Sequence, residues 1–241
     1  MENYISNMPG WVSILFVAVF AIPIVLIANT AKQAALDSGM SNAKSKNIRL
    51  SIIGFYIFWL IYASVLSLKG VLSVNTFPPK VILFTTLPLL VILLGMISNT
   101  AVFKMILTNT SLESLIRIHI FRLIGVFFIL IYFYGFLPAK FALVAGLGDI
   151  ATALISIVAA KAVAQKKSWS IKFAYAWNVF GLLDIISVIV SAIILTKITM
   201  VNHELGNLEM TLFPFVWFPA FAPATILFLH ISTFKKLRQI H

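Results

Sequence analysis

Seven runs of about twenty mostly apolar residues leave this chain little choice of fold. They cover approximately Trp11 to Thr30, Leu50 to Leu68, Val81 to Phe103, Leu115 to Phe136, Phe141 to Ala160, Phe173 to Thr196 and Leu212 to Ser232. A helix rising ~1.5 Å per residue needs about 20 residues to cross a hydrocarbon core roughly 30 Å thick. A transmembrane β-strand would need only about 10, in strict alternation. These runs are twice as long and do not alternate. Hydrophobic residues make up 61% of the chain and charged ones 10%, with a mean hydropathy of +1.04. A soluble domain carries about 25% charged residues and could not cover its surface with so few. The chain has no cysteine, so disulfides, thiolate metal sites and cysteine nucleophiles are excluded. The expected fold is all-α: one integral membrane domain over residues 1–241, a seven-transmembrane-helix bundle.

Cations set the expected orientation. With the N-terminus outside, thirteen of the 18 Lys and Arg residues fall on the cytoplasmic side. They are Lys32, Lys44, Lys46, Arg49, Lys104, Arg117, Lys161, Lys166, Lys167, Lys172, Lys235, Lys236 and Arg238. Lys69, Lys80, Lys140 and Lys197 fall outside, and Arg122 lies within a span. That asymmetry over short loops predicts an outside N-terminus and a cytoplasmic C-terminus. The net charge of +11 then reads as a topology device and an attraction to anionic lipid, not as nucleic-acid binding. The first span follows Glu2 and no cation, so an anchor helix is expected there, not a cleaved signal. The longest loop is expected at Ala31 to Arg49. Aligning Phe77 with Phe213 brings Pro78 onto Pro214 and Pro88 to within one residue of Pro223, which raises a three-plus-one-plus-three repeat. Proline at helix starts is common enough to account for the match without one.

Ionisable groups inside spans are costly, by ~2.5–3.5 kcal/mol on insertion scales, and point to function by default. Asp149 in the fifth span and Asp184 in the sixth lie roughly 12 Å and 16 Å from opposite faces, both near the midplane. Each sits in the same pattern: Gly146-x-x-Asp149-x-x-Thr152-x-x-x-Ser156 and Gly181-x-x-Asp184-x-x-Ser187-x-x-x-Ser191. Those offsets share one helical face. Trp177 and Asn178 join the second stripe. One reading is a midplane site for a proton, cation or small solute. The other is helix locking, with glycines permitting close approach and hydroxyls and carboxyls bonding across the interface. Arg122 shares a face of the fourth span with His119, Gly125, Ile129 and Tyr132. It either snorkels to the near surface or pairs with one of the aspartates.

Gly146-Leu147-Gly148-Asp149 looks like the GxGD signature of intramembrane aspartyl proteases, whose two aspartates share a proton. In that family the partner aspartate precedes the GxGD helix, whereas Asp184 follows it. His119 and His230 are placed two turns or more from the carboxyls, too far for a joint metal site. His203, Glu204 and Glu209 are expected on a solvated loop. No lysine lies deep in a span, and no nucleotide-binding loop or Ser–His–Asp spacing is present.

Arg122-x-x-Gly125, Gly135-x-Leu137-Pro138-x-x-Phe141-Ala142, Ala145-Gly146-x-Gly148-Asp149 and Trp177-Asn178-x-x-Gly181-Leu182-Leu183-Asp184 carry a resemblance. Over residues 117–190 the chain resembles a family of small bacterial polytopic membrane proteins without assigned activity. The resemblance implies multi-pass residence in a bacterial inner (cytoplasmic) membrane and draws attention to Arg122, Asp149, Trp177, Asn178 and Asp184. It supplies no substrate.

The expected function is a small carrier or channel, not an enzyme. Its candidate site comprises Asp149, Asp184, Arg122, Asn178, Trp177, Thr152 and Ser187, with no metal and no cofactor. The expected partners are the lipid bilayer and a small solute or cation. The alternative is a non-catalytic sensor or assembly component whose buried polar residues only lock helices.

Overall fold

A computed structural model describes residues 4–73, 76–202 and 206–240. Among these, seven helices are long and apolar enough to cross a membrane. They are α1 (Gly10–Asp37), α2 (Asn42–Leu68), α3 (Ile82–Asn99), α5 (Leu112–Phe133), α6 (Ala139–Ala164), α7 (Ser170–Asn202) and α8 (Trp217–Arg238). A short helix, α4 (Ala101–Asn109), joins α3 to α5. The apolar runs therefore appear as helices in the expected order, with shifted ends. The expected long loop from Ala31 to Arg49 is the clearest correction. α1 continues to Asp37 and α2 starts at Asn42, so helix fills most of that segment. Ala, Lys, Gln and Leu propagate a helix well whether or not they are apolar, so hydropathy underestimates its length. The turn closes at Gly39, whose φ of 86° suits glycine. Ser41 then caps α2 by accepting from the Lys44 amide.

α8 and α5 form the centre. In α8 72% of the apolar window is buried and in α5 61%, against 22% to 44% elsewhere. Aromatic rings fill the space around them. Phe128 of α5 stacks on Phe218 of α8 at 4.2 Å, and Phe16 of α1 lies 4.8 Å from Phe215. Dense ring contacts of this kind contribute through many summed dispersion interactions.

The prolines of α3 and α8 free carbonyls that need a donor from elsewhere. Pro88 cannot bond the Phe84 carbonyl, and the Tyr62 hydroxyl donates there at 3.2 Å. Pro223 cannot bond the Pro219 carbonyl, and Thr86 of α3 donates to it at 2.7 Å. The Phe77-Pro78 and Phe213-Pro214 bonds are both cis.

At the end of the bundle where α1 begins, the N-terminal segment pairs with the approach to α8. Ile5 and Phe213 form a parallel bridge, with the Ser6 amide donating to the Phe213 carbonyl at 2.9 Å. The Ser6 hydroxyl donates to Glu209. Glu209, expected on a solvated loop, is only 4% exposed. The short helical turn Leu208–Thr211 folds it inward under this clasp. His203 and Glu204 lie outside the described residues. Burial pushes the Glu209 carboxyl above its usual value of 4.5, and the bond from Ser6 pulls the other way.

A folded carboxyl that holds its proton more tightly than the unfolded chain contributes stability at low pH, and this is lost as pH rises through the raised value. Thermal unfolding of the purified protein is therefore expected to show a loss of stability above about pH 4.5 that Glu209→Gln removes. An unchanged pH profile in that variant would mean that Glu209 is not the titrating group.

Candidate functional site

The site is built around a change of helix type. Midway along α5 the chain winds as a 3-10 helix from His119 to Gly125. At three residues per turn, positions i, i+3 and i+6 eclipse. His119, Arg122 and Gly125 thus form one line facing α6, α7 and α8. Arg122 is fully buried. It does not snorkel: its Nε donates to Asp149 Oδ1 of α6 at 2.6 Å, and its Nη2 donates to Asp184 Oδ2 of α7. Both carboxyls therefore lie at one depth on one guanidinium, their side chains 7% and 8% exposed. The remaining edge, Nη1, donates to the Gly181 carbonyl at 3.2 Å and meets His230 Nε2 of α8 at 3.2 Å.

Those contacts fix the His230 tautomer. Arginine has no acceptor, so Nε2 must accept and Nδ1 must carry the proton. Nδ1 then donates to Asn178 Oδ1 at 2.8 Å. Asn178 returns a bond from Nδ2 to the His230 carbonyl at 3.0 Å. Trp177 donates from Nε1 to the Thr152 carbonyl at 3.0 Å and meets the His119 ring edge-on at 5.0 Å. His119 lies 4.2 Å from the His230 ring.

Close approach depends on missing side chains. A Cβ on Gly125 would sit 2.5 Å from Asp149 Cβ, and one on Gly181 would sit 2.5 Å from His230 Cε1. A Cβ on Gly148 would overlap the Asp184 carboxylate. Cavity and cluster meet at one residue. A cavity of about 80 Å³ runs from Ser73, Asn207 and Thr211 at the N-terminal end of the bundle to Asp149. At roughly 15 Å³ of such space per water, it has room for a handful of waters.

The structure thus brings together Asp149, Asp184, Arg122, Asn178, Trp177 and Thr152 of the candidate set. Ser187 is not among them. It is exposed, and its hydroxyl bonds the Asp184 carbonyl at 2.7 Å. The equivalent position on α6, Thr152, is buried, so the matching spacing does not give the two helices the same orientation at this level. The histidines need the larger correction. His119 and His230 stand beside the carboxyls and Arg122, not two turns away. Depth was counted from hydropathy ends. α8 in fact runs on to Arg238 and α5 begins at Leu112, so both rings lie deeper than the apolar ends of the spans suggest. Gly125 and Gly148 were the other contributors missed as site residues. Their signal was the i+3 step from Arg122 and the glycine next to Asp149. No group of three or more side chains able to hold a metal is found among the described residues.

Residues 77–238 match the family model described as a domain of unknown function, DUF8737. The chain belongs to this family. The DUF8737 region holds every residue of the cluster and extends well beyond the stretch in which a resemblance was recognised. No curated protein and no solved structure matches the chain.

Removing Arg122 would leave two carboxylates buried side by side, a loss of about 3–5 kcal/mol. Arg122→Gln is expected to unfold at correspondingly lower denaturant or temperature. Adding Asp184→Asn to it should recover part of the loss, because the two act on one interaction. Additive losses in the double variant would show that the pair is not coupled.

Proposed function

We propose that the chain is a small carrier coupled to a proton or monovalent cation, resident in a bacterial cytoplasmic membrane with its N-terminus outside and its C-terminus inside. The observation that carries this reading is the charge balance at Asp149. One guanidinium faces two carboxylates, so the fully ionised cluster holds one negative charge in excess. Excess charge in a low-dielectric interior is costly unless a proton or cation neutralises it. Asp149 borders a cavity that leads toward the N-terminal end, so a route for that ion exists. The thirteen-to-four division of Lys and Arg supports the orientation. With Arg122 inserted between the carboxyls, they do not form the proton-sharing dyad that an aspartyl protease uses.

One observation favours the alternative, a sensor or assembly component. Apart from the cavity at Asp149, the cluster bonds almost entirely to itself, as a helix lock would. The two readings separate on the acid variants. Asp149→Asn leaves Arg122 paired with Asp184 and removes the excess charge, so it is expected to fold at least as stably as the unmodified protein. Under the carrier reading it loses pH dependence. The assay is thermal stabilisation of purified protein at pH 5 to 8 across monovalent cations, amines and organic acids, followed by uptake of any stabilising solute into proteoliposomes under a pH gradient. PH-dependent stabilisation and flux that vanish in Asp149→Asn support the carrier. Unchanged pH dependence in Asp149→Asn overturns it, as does a panel without any pH-dependent ligand. Reporter fusions at the C-terminus are expected to report the cytoplasm, and a periplasmic signal would reverse the orientation.

A further inference from the structure

A second cavity, about 560 Å³ and larger than the one at Asp149, lies in the half of the bundle nearest the C-terminus. Its volume falls in the range of small-molecule sites, about 300–1,000 Å³. α1, α2, α3, α4, α5 and α8 line it, leaving it partly open, and Ile27, Phe55, Leu93, Phe103, Phe228 and Leu229 supply hydrocarbon walls. No charged side chain lines it. Such a space left empty forfeits contacts on every wall, and a hydrated ion or sugar gains nothing there.

The rim has a different chemistry. Asn47 and Ile48 of α2 line the cavity, and Lys46 and Arg49 flank them. Lys46 and Arg49 are one helical step of three apart, on one face of α2. Arg49 is positioned: its Nε donates to Asn29 Oδ1 of α1 at 2.7 Å, beside the lining residue Thr30. Asn29 is neutral, so it orients the guanidinium without cancelling its charge. Lys104 follows the lining residue Phe103 on α4. The acids at this end are only Asp37 and Glu113, and Glu113 is already paired with Arg117. The thirteen cations of this end therefore keep a large positive excess.

An apolar chamber whose lining residues are followed or preceded in sequence by an oriented arginine and two lysines has the chemistry of one amphiphile. We propose that this cavity binds an anionic phospholipid, one acyl chain lying among Leu93, Phe103 and Phe228 and the phosphate held by Arg49, Lys46 and Lys104. Arginine suits the phosphate because its planar fork offers paired donors. The site is separate from Asp149 and does not depend on carrier activity. It rests only on the chain spanning a membrane, which reporter fusions test independently.

The test uses the full chain, purified and delipidated in detergent. Phosphatidylglycerol and phosphatidylcholine with identical acyl chains are titrated in turn, with thermal unfolding and native mass spectrometry as readouts. Phosphatidylglycerol should raise Tm by roughly 5 °C and remain bound as a single copy in the gas phase, while phosphatidylcholine does neither. Arg49→Gln should weaken phosphatidylglycerol roughly fivefold, one surface charge's worth. Ile97→Trp, which fills the chamber from α3, should abolish retention of the lipid. Equal responses to the two lipids, or an Arg49→Gln protein with unchanged preference, would overturn the anionic site. Full phosphatidylglycerol binding by a folded Ile97→Trp would place the lipid on the surface and overturn the chamber. Should Ile97→Trp not fold, the Arg49→Gln and lipid comparisons decide alone.

Discussion

The guanidinium of Arg122 ties four helices together. From α5 it reaches Asp149 on α6, Asp184 and the Gly181 carbonyl on α7, and His230 on α8. In water such bonds would contribute little, because each group is solvated when apart. In a buried, low-dielectric interior the comparison state is an unpaired charge, and the same bonds become obligatory. The helices consequently have one relative depth at which they can all be satisfied. Bundles that pack by shape alone can slide; this one is pinned at the level of Arg122.

Pinning requires that backbones approach until short side chains meet, and two local devices allow it. The 3-10 winding of α5 lines His119 and Gly125 up with Arg122, so the arginine is flanked by a ring on one side and by a glycine that admits Asp149 on the other. Gly125, Gly148 and Gly181 then vacate the positions where Asp149, Asp184 and His230 lie. The same economy appears away from the site. Tyr62 and Thr86 carry hydroxyls to the two carbonyls that Pro88 and Pro223 leave unbonded. Irregular helices survive here because a neighbouring helix supplies the missing donor.

The seven helices were legible because hydropathy over about twenty residues is a summed signal that no single substitution erases. Their ends were not: Ala31 to Arg49 reads as polar loop by composition, yet its alanines, lysines and glutamine extend both helices. The aspartates stood out because charge within an apolar run has few structural reasons to exist. The identical glycine and hydroxyl spacing around them pointed to one face. Counting in units of 3.6 failed at Ser187, and counting depth from span ends failed at His119 and His230. The histidines are misplaced because helix ends extend beyond the apolar runs, and Ser187 because equal spacing on two helices does not fix their rotation. The reach of Arg122 to both carboxyls is likewise hidden: sequence leaves open which way a long side chain turns, and its full burial among four helices decides it.

The two carboxyls are not equivalent, and that bears on how an ion would act under the carrier reading. Asp149 borders the cavity and meets Arg122 through Nε, whereas Asp184 is absent from the cavity wall and meets the arginine through Nη2. An ion arriving through the cavity reaches Asp149 first. Its charge would neutralise that carboxylate and weaken the hold of Nε, while the pairing with Asp184 is left intact. Arg122 would then keep α5 fastened to α7 and relax its grip on α6. A cluster with one fixed partner and one exchangeable partner converts ion occupancy into a choice between two helix contacts, the kind of two-state element on which alternating access depends.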